Sequence, residues 1–469
     1  MWLALVVWAV VGQAGAAPAV EVVTLENGMR WVLLPRADGG LVSGLVSVRA
    51  GGVHERVGAT GVAHLLEHLA FSGTPLVGSR RGWRLEAPVQ ERALGLTHEL
   101  AKQLRAGTGG SAEAAWLETQ LVPVDEEWRA RGDSTAFKRM LAVQGVEANA
   151  WTSKDTTSFW GEFPGEQLHF WLAAEAQRFA APVFREFRTE RDVVIQELRD
   201  RSSVLSKGLE VMWALAFEGS GYAWAVGGLE RDLRAMSPRS LDVFYERLYA
   251  PENAVGCLVG DFDPAQARAW LADTFAQIPR RPVDLPARVA FTSPRVTRVS
   301  GAESWVLVGF ERPPVFDPGS PPSEVVEELL RGEDGALHQL IKNSGGLINA
   351  AHVTTGPGVH ERHLLVIALQ LGRTRDAAGA RAQLFQHLAA WVPTDDELVR
   401  ARVSLERQRL LDLRTRRGLA DELATRVLLT HDWQQVFVPR HKDVALDAVL
   451  EVTRGFTAEK AWVVEVMAP

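Results

Sequence analysis

Cysteine is nearly absent. Cys257 is the only one in 469 residues, so no internal disulfide can form. It lies in the apolar run Ala254-Val255-Gly256-Cys257-Leu258-Val259, which reads as a buried strand with a small core residue. Tyrosine is scarce as well: Tyr222, Tyr245 and Tyr249 are the three, and residues 287–469 contain none. An excess of positive charge is missing, with 51 Lys and Arg, mostly Arg, against 58 Asp and Glu, a net charge of -7 and a pI near 6.0. That excludes the basic footprint of a nucleic-acid binder. At the start, Met1 to Ala16 carries no charged side chain, and its apolar stretch Leu3 to Val11 is too short for a stable membrane anchor. Ala14-Gly15-Ala16 then offers the small residues that a signal peptidase reads, so residues 1–16 are expected to be a cleaved signal and the protein periplasmic or secreted. No cysteine stands near that point to take a lipid anchor.

What is present is an ordinary globular composition, 46% hydrophobic and 23% charged, in a chain too long for one core. Val20 to Leu25 and Met29 to Leu34 read as strands around the turn Glu26-Asn27-Gly28, and Val42 to Val48 as a third. Thr60 to Phe71 has helical periodicity. Residues 75–132 read as an inserted helical hairpin, broken at Gly107-Thr108-Gly109-Gly110 and restarted by Ser111 as a cap. Val146 to Phe163 returns to strand character. Helices are expected at Gln167–Ala180, Phe184–Arg201 and Ser237–Leu248, and Arg280 to Pro286 reads as a linker. The segment Leu384 to Met467 repeats the helix, helix, helix, strand order of Leu168 to Gly260. The expectation is an α+β fold of two similar units, each an antiparallel-rich sheet covered by helices: 17–282, carrying the insertion, and 287–469.

The chemistry concentrates in Gly61-Val62-Ala63-His64-Leu65-Leu66-Glu67-His68-Leu69-Ala70-Phe71. His64 and His68 are four apart, so on a helix their imidazoles project from one face a turn apart, as two ligands of a tetrahedral zinc ion do. Glu67 stands beside that face, where it can take a proton from a metal-activated water and pass it to a leaving amine. The bland alternative is a half-exposed amphipathic helix; the apolar flanks Leu65, Leu66, Leu69 and Phe71 argue instead for a helix seated in a core with its polar face on a cleft. Catalytic zinc needs a third ligand. Thr189-Glu190-Arg191-Asp192-Val193-Val194-Ile195-Gln196-Glu197 offers Glu190 and Glu197 two helical turns apart on one face, and spacing alone does not choose between them. His54 reads as polar surface, and His360-Glu361-Arg362-His363 as an ordinary loop or strand despite its metal-like look.

The chain resembles the inverzincin peptidases: pitrilysin, insulin-degrading enzyme and the mitochondrial processing peptidase. The likeness rests on Thr60 to Thr74 with its inverted HxxEH, on Asn149-Ala150-Trp151-Thr152-Ser153 and on Glu190 to Glu197. It runs from about Val20 to Phe262 and more weakly to the C-terminus. The resemblance implies one Zn2+ per chain on His64, His68 and Glu197, with Glu67 as general base and Glu190 holding a ligand from outside. It makes Asn149, Ala150, Trp151 and Thr152 an edge strand that pairs with a substrate's main chain. Members of this length resemble half of a clamshell.

Family sites are completed by an Arg and a Tyr seven apart in a segment ending Gly-Leu-x-Tyr. Here Leu340-Ile341-Lys342-Asn343-Ser344-Gly345-Gly346-Leu347-Ile348-Asn349 puts Lys342 and Asn349 in those places. Lys342 keeps a charge but not the bidentate fork, and Asn349 supplies no phenol. The expected function is therefore a zinc metalloendopeptidase subunit acting on peptides or unfolded chains. Its partner is a homologous subunit that brings Arg and Tyr in a heterodimer, with a homodimer as the second form. The competing function is a non-proteolytic scaffold or peptide-binding subunit of the same fold.

Overall fold

The computed structural model describes residues 20–37, 39–201, 203–285, 290–332 and 335–469; the expected signal, 1–16, lies outside them. The architecture is mixed α/β, with two helix-covered sheets in two compact units. One unit takes the chain up to Arg199, then Val226–Pro286 and Asp412–Val436; the other takes Asp200–Ala225, Ala287–Leu411 and Phe437–Pro469.

The first unit's strands are β1 (Glu21–Thr24), β2 (Arg30–Pro35), β3 (Leu41–Val48), β4 (Glu147–Thr152), β5 (Thr157–Pro164) and β6 (Ala254–Gly260), in the order β1-β2-β6-β3-β5-β4. The second unit's are β7 (Val296–Ser300), β8 (Trp305–Arg312), β9 (Ile348–Gly356), β10 (His363–Leu371) and β11 (Trp462–Met467), in the order β7-β11-β8-β10-β9. The path β2-β6-β3-β5-β4 is thus walked again by β7-β11-β8-β10-β9. Even the single parallel pair recurs at the same place, β2 with β6 and β7 with β11. Both paths end on an edge strand, β4 in one unit and β9 in the other.

Packing explains how the first sheet accepts its helix. Gly44 and Gly161 are cross-strand partners on β3 and β5, and together they leave a notch for the fully buried indole of Trp171 on the Leu168–Ala180 helix. A Cβ on either glycine would stand 2.4 Å from that ring. Losing such a side chain costs roughly 3–5 kcal/mol. Helices also cross over in sequence. Val204–Ala216 packs on β8 and β11 in the second unit, where Gly208 brings its backbone close to Leu307 and Val466. Arg416–Leu429, from late in the chain, covers β3 and β6 in the first.

The insertion is a hairpin of Trp83–Arg105 and Ala112–Arg131, with Ser111 Oγ accepting from the Ala114 N–H at 3.1 Å. A buried ion pair anchors it: Arg185 and Glu86 are each 1% exposed. Arg185 Nε donates to Glu86 Oε1 at 2.6 Å and Nη1 to the Ser72 carbonyl at 2.7 Å, while Trp128 Nε1 donates to the same carboxylate at 3.0 Å. Burial alone would raise the Glu86 pKa, but Arg185, Ser79 and Trp128 together outweigh it and hold the carboxyl below its usual range. Among the described residues, no helix is long and apolar enough to cross a membrane.

Candidate metal centre

The helix carrying the histidines, Val62–Leu69, is short and borrows its N-terminal cap from elsewhere. Glu55 is buried, and its two oxygens accept from the Gly61 and Ala63 N–H groups, each at 3.0 Å. A carboxylate there meets both the unpaired donors and the positive end of the helix dipole. Gly61 enters at φ 87°, and a Cβ on it would stand 2.6 Å from the Gly227 carbonyl oxygen, so only glycine fits this turn. Asp232 Oδ2 accepts from Thr60 Oγ1 at 2.8 Å and steadies the approach. Leu65, Leu66 and Leu69 are buried in the core, which fixes the rotation of the helix and turns His64, Glu67 and His68 to its other face. His54, expected on the surface, is instead buried, and its Nδ1 accepts from the Gly51 N–H at 3.0 Å. A tight turn before the helix encloses it, which its polar character does not reveal.

The Phe187–Asp200 helix supplies the carboxylates. His64 Nε2 lies 3.8 Å from Glu197 Oε2, and His68 Nε2 lies 3.8 Å from Glu197 Oε1. Donor atoms of His64, His68 and Glu197 all fall within 4.8 Å of one another. The two 3.8 Å separations are too long for hydrogen bonds. They approach the edge of a tetrahedron with zinc–ligand arms near 2.1 Å, about 3.4 Å. Glu190 takes a different place: its Oε2 lies 3.3 Å from His68 Nδ1, on the far side of the ring from Glu197. A carboxylate on the second ring nitrogen fixes the tautomer and orientation of a metal-binding histidine. The two glutamates that spacing left equivalent thus occupy distinct positions.

The electrostatics fit a cation. Glu67, Glu190 and Glu197 act together on His68. Burial pushes its pKa down, but the Glu190 hydrogen bond and the charges of Glu197 and Glu67 override it, and the pKa is raised. The reciprocal bond from His68 lowers Glu190 against the opposing effect of burial. Two imidazoles facing so much negative charge are a donor set with the chemistry of a zinc site.

Asn149, Ala150, Trp151 and Thr152 lie on β4, at the sheet edge. Thr152 does something its place on that strand did not announce: its Oγ1 donates to Glu67 Oε2 at 2.6 Å. Lys342 is exposed in the last turn of the Ala336–Asn343 helix, and Asn349 is exposed on β9. Tyr222 joins the second unit, but it is fully buried against Phe217. Among the described residues of that unit, no tyrosine offers its phenol to solvent.

With this geometry in view, the likenesses to known proteins fall into place. A family model described as the peptidase M16 inactive domain matches residues 235–404, a stretch that begins after Glu197 and contains none of the three donors. The chain is similar to a zinc protease, PqqE, from Helicobacter pylori, at 24% identity over 52% of this chain and 44% of that protein. It is similar to the probable zinc protease PqqL of Escherichia coli at 22% identity, over 54% of this chain and 23% of that one. It therefore spans less than half the length of either curated relative. Among solved structures, a protease from Helicobacter pylori shares the fold at a TM-score of 0.75 and 18% identity, covering 96% of this chain and 100% of that one.

Proposed function

We propose that the chain belongs to the M16 peptidases and is the zinc-bearing subunit of a metalloendopeptidase. The observation that carries the reading is the convergence of His64, His68 and Glu197 within 4.8 Å, with Glu67 on the same helix face. Held by His64, His68 and Glu197, a zinc ion would supply a water with its pKa lowered to about 7 and a Lewis acid for a scissile carbonyl. The protein's own groups do the rest. Glu67 accepts the proton and returns it to the leaving amine, while Glu190 holds the His68 ring. β4, the edge strand of its sheet, receives an extended substrate by main-chain pairing, which suits unfolded chains of varied sequence. With Lys342 and Asn349 where the family resemblance expects Arg and Tyr, oxyanion stabilisation falls to a homologous partner subunit. Export is supported by the apolar start of the chain and by the likeness to PqqL, whose solved structure is described as a periplasmic protease.

The match to an inactive domain favours a second reading, a scaffold or peptide-binding subunit without turnover. A quenched fluorescent peptide separates the two. The parent with its partner is expected to cleave it, and Glu67→Gln to lose about 10²- to 10⁴-fold while keeping zinc. Equal rates for parent and variant would leave the scaffold reading standing.

A further inference from the structure

We propose that Thr152 is a positioning residue for the general base: its hydroxyl sets the plane of the Glu67 carboxylate and ties it to the strand that a substrate extends. The inference rests on the peptidase reading above.

The direction of the hydroxyl proton is settled by its neighbours. Thr152 pairs with Thr157 at the end of β4 and β5, and their Oγ1 atoms are 3.4 Å apart. Thr157 Oγ1 sits 2.6 Å from the Ala50 carbonyl oxygen, which can only accept, so its single proton is committed there. Thr152 therefore donates to the nearer, charged acceptor, Glu67 Oε2 at 2.6 Å. The base under this hydroxyl is rigid. Ser153 N–H donates to the Thr156 carbonyl at 2.8 Å, and Ser153 Oγ accepts from Thr156 N–H at 2.9 Å. The same turn is tied to the loop before the histidine helix, with Gly52 N–H on the Ser153 carbonyl at 3.1 Å and Val53 N–H on the Lys154 carbonyl at 2.8 Å.

Parity along the strand assigns the rest. Ala148 and Ala150 share a face with Thr152 and pack on the core cluster that contains Leu65 and Leu66. The Thr152 side chain is therefore turned to the histidine helix, while only its main chain lies on the edge. A glutamate's last torsion is soft. One charge-assisted hydrogen bond to Oε2 removes that freedom and fixes where Oε1 points. Small errors in that direction slow a proton transfer strongly.

The test uses the zinc-loaded protein with its partner, a quenched peptide, zinc affinity by chelator competition and thermal melting. Thr152→Val keeps shape but has no proton to give. It is expected to lower kcat by about 10- to 100-fold with KM within about twofold of the parent and zinc affinity and melting temperature unchanged. Thr152→Ser restores kcat to within a few-fold. Parental kcat in Thr152→Val overturns the proposal. A loss confined to KM assigns Thr152 to substrate contact, and a loss of zinc or of stability assigns it to the scaffold; each overturns it too. No turnover in the parent itself, with zinc bound, removes the peptidase reading and this inference together.

Discussion

The first helix after β3 and the first helix after β8 stand at the same point of the repeated strand path, and each faces a carboxylate from the second helix after the following hairpin. In the first unit, Val62–Leu69 presents two imidazoles to Glu197 and Glu190 of Phe187–Asp200. In the second, Pro321–Leu330 presents Glu324, and Asp395–Arg414 presents Glu406. Between those two carboxylates stands His441, 4% exposed, with Nδ1 3.1 Å from Glu406 Oε1 and Nε2 2.7 Å from Glu324 Oε2. Arg440 adds a bond to Glu324 at 2.8 Å. Both ring nitrogens face carboxylates, an arrangement that favours the doubly donating imidazolium and raises the pKa of the ring. The two units thus solve one problem, negative charge between two helices, in different ways. The second carries its cation as a side chain. The first instead gathers two imidazole Nε2 atoms and a shared carboxylate within 4.8 Å, a set of donor atoms that could hold a metal ion. The same strand path thus carries one cluster closed by side chains and one whose donor atoms could hold a metal ion.

Replacing a ligand should break this comparison most sharply. Among the described residues Glu197 is the carboxylate that faces both Nε2 atoms, and the loss of zinc affinity in Glu197→Gln should exceed the about 10- to 100-fold that an outer carboxylate costs. Glu190→Gln supplies that smaller figure in the same chelator competition. If Glu190→Gln proved the more damaging, the assignment of the two positions would be reversed.

In the second unit, the expected loss is in stability, not in metal. Glu324→Gln leaves the buried His441 with one of its two facing carboxylates and takes a carboxylate from the half-buried Arg440; breaking a fully buried pair costs roughly 3–5 kcal/mol, which bounds the loss from above. The sign with pH follows from both partners. His441 is raised above its ordinary 6.5: burial opposes this, but Glu324 and Glu406 override it. Its contribution is complete below about pH 6.5 and is lost as pH rises through its folded value. Glu324 is held below its usual range, against burial, by His441 and Arg440, so its contribution is present above about pH 4.5 and is lost as pH falls through its folded value. The cluster stabilises most between those limits. The gap between the melting curves of parent and variant should be widest between those limits, narrow as pH falls and Glu324 protonates, and shrink only in part toward about pH 9, where Arg440 still pairs with Glu324; a constant gap would refute the linkage. Zinc content should stay unchanged.

Much of this contrast was legible in the sequence, and the limit of legibility is physical. β1 to β3 and the histidine helix were readable because apolar periodicity and an Asn-Gly turn are local signals; the structure places them at Glu21–Thr24, Arg30–Pro35, Leu41–Val48 and Val62–Leu69. The hairpin insertion was readable from its glycine break and Ser111. The crossing of Val204–Ala216 and Arg416–Leu429 to the opposite sheets was not, because an apolar face declares that it is buried but not against what. For the same reason the Arg185–Glu86 anchor, the Thr152–Glu67 bond and the buried His54 left no trace: each depends on groups brought together from separate stretches or on a turn that encloses a polar ring. Glu190 and Glu197 are equivalent by spacing; the family resemblance implied different places for them, and in the structure they differ in which nitrogen of His68 each one faces.

The smallest expected effect concerns how the two comparable helices begin. Pro321–Leu330 opens on prolines, whose missing N–H and fixed φ suit a first turn. Val62–Leu69 has no cap of its own and relies on Glu55, six residues before Gly61. Glu55→Gln keeps the shape but replaces one acceptor with an amide that cannot receive an N–H and removes the charge that meets the dipole. The cost should be about 1–2 kcal/mol, or a few degrees in the melting temperature of the unit that holds it. Because the capped residues Gly61 and Ala63 immediately precede His64, slack at this end should also loosen the donor set. Zinc affinity should therefore fall a few-fold with the stability, whereas the second unit should not respond. A melting temperature equal to the parent's would mean that the helix is held by the packing of Leu65, Leu66 and Leu69 alone, and that the remote carboxylate is not what sets the histidines in place.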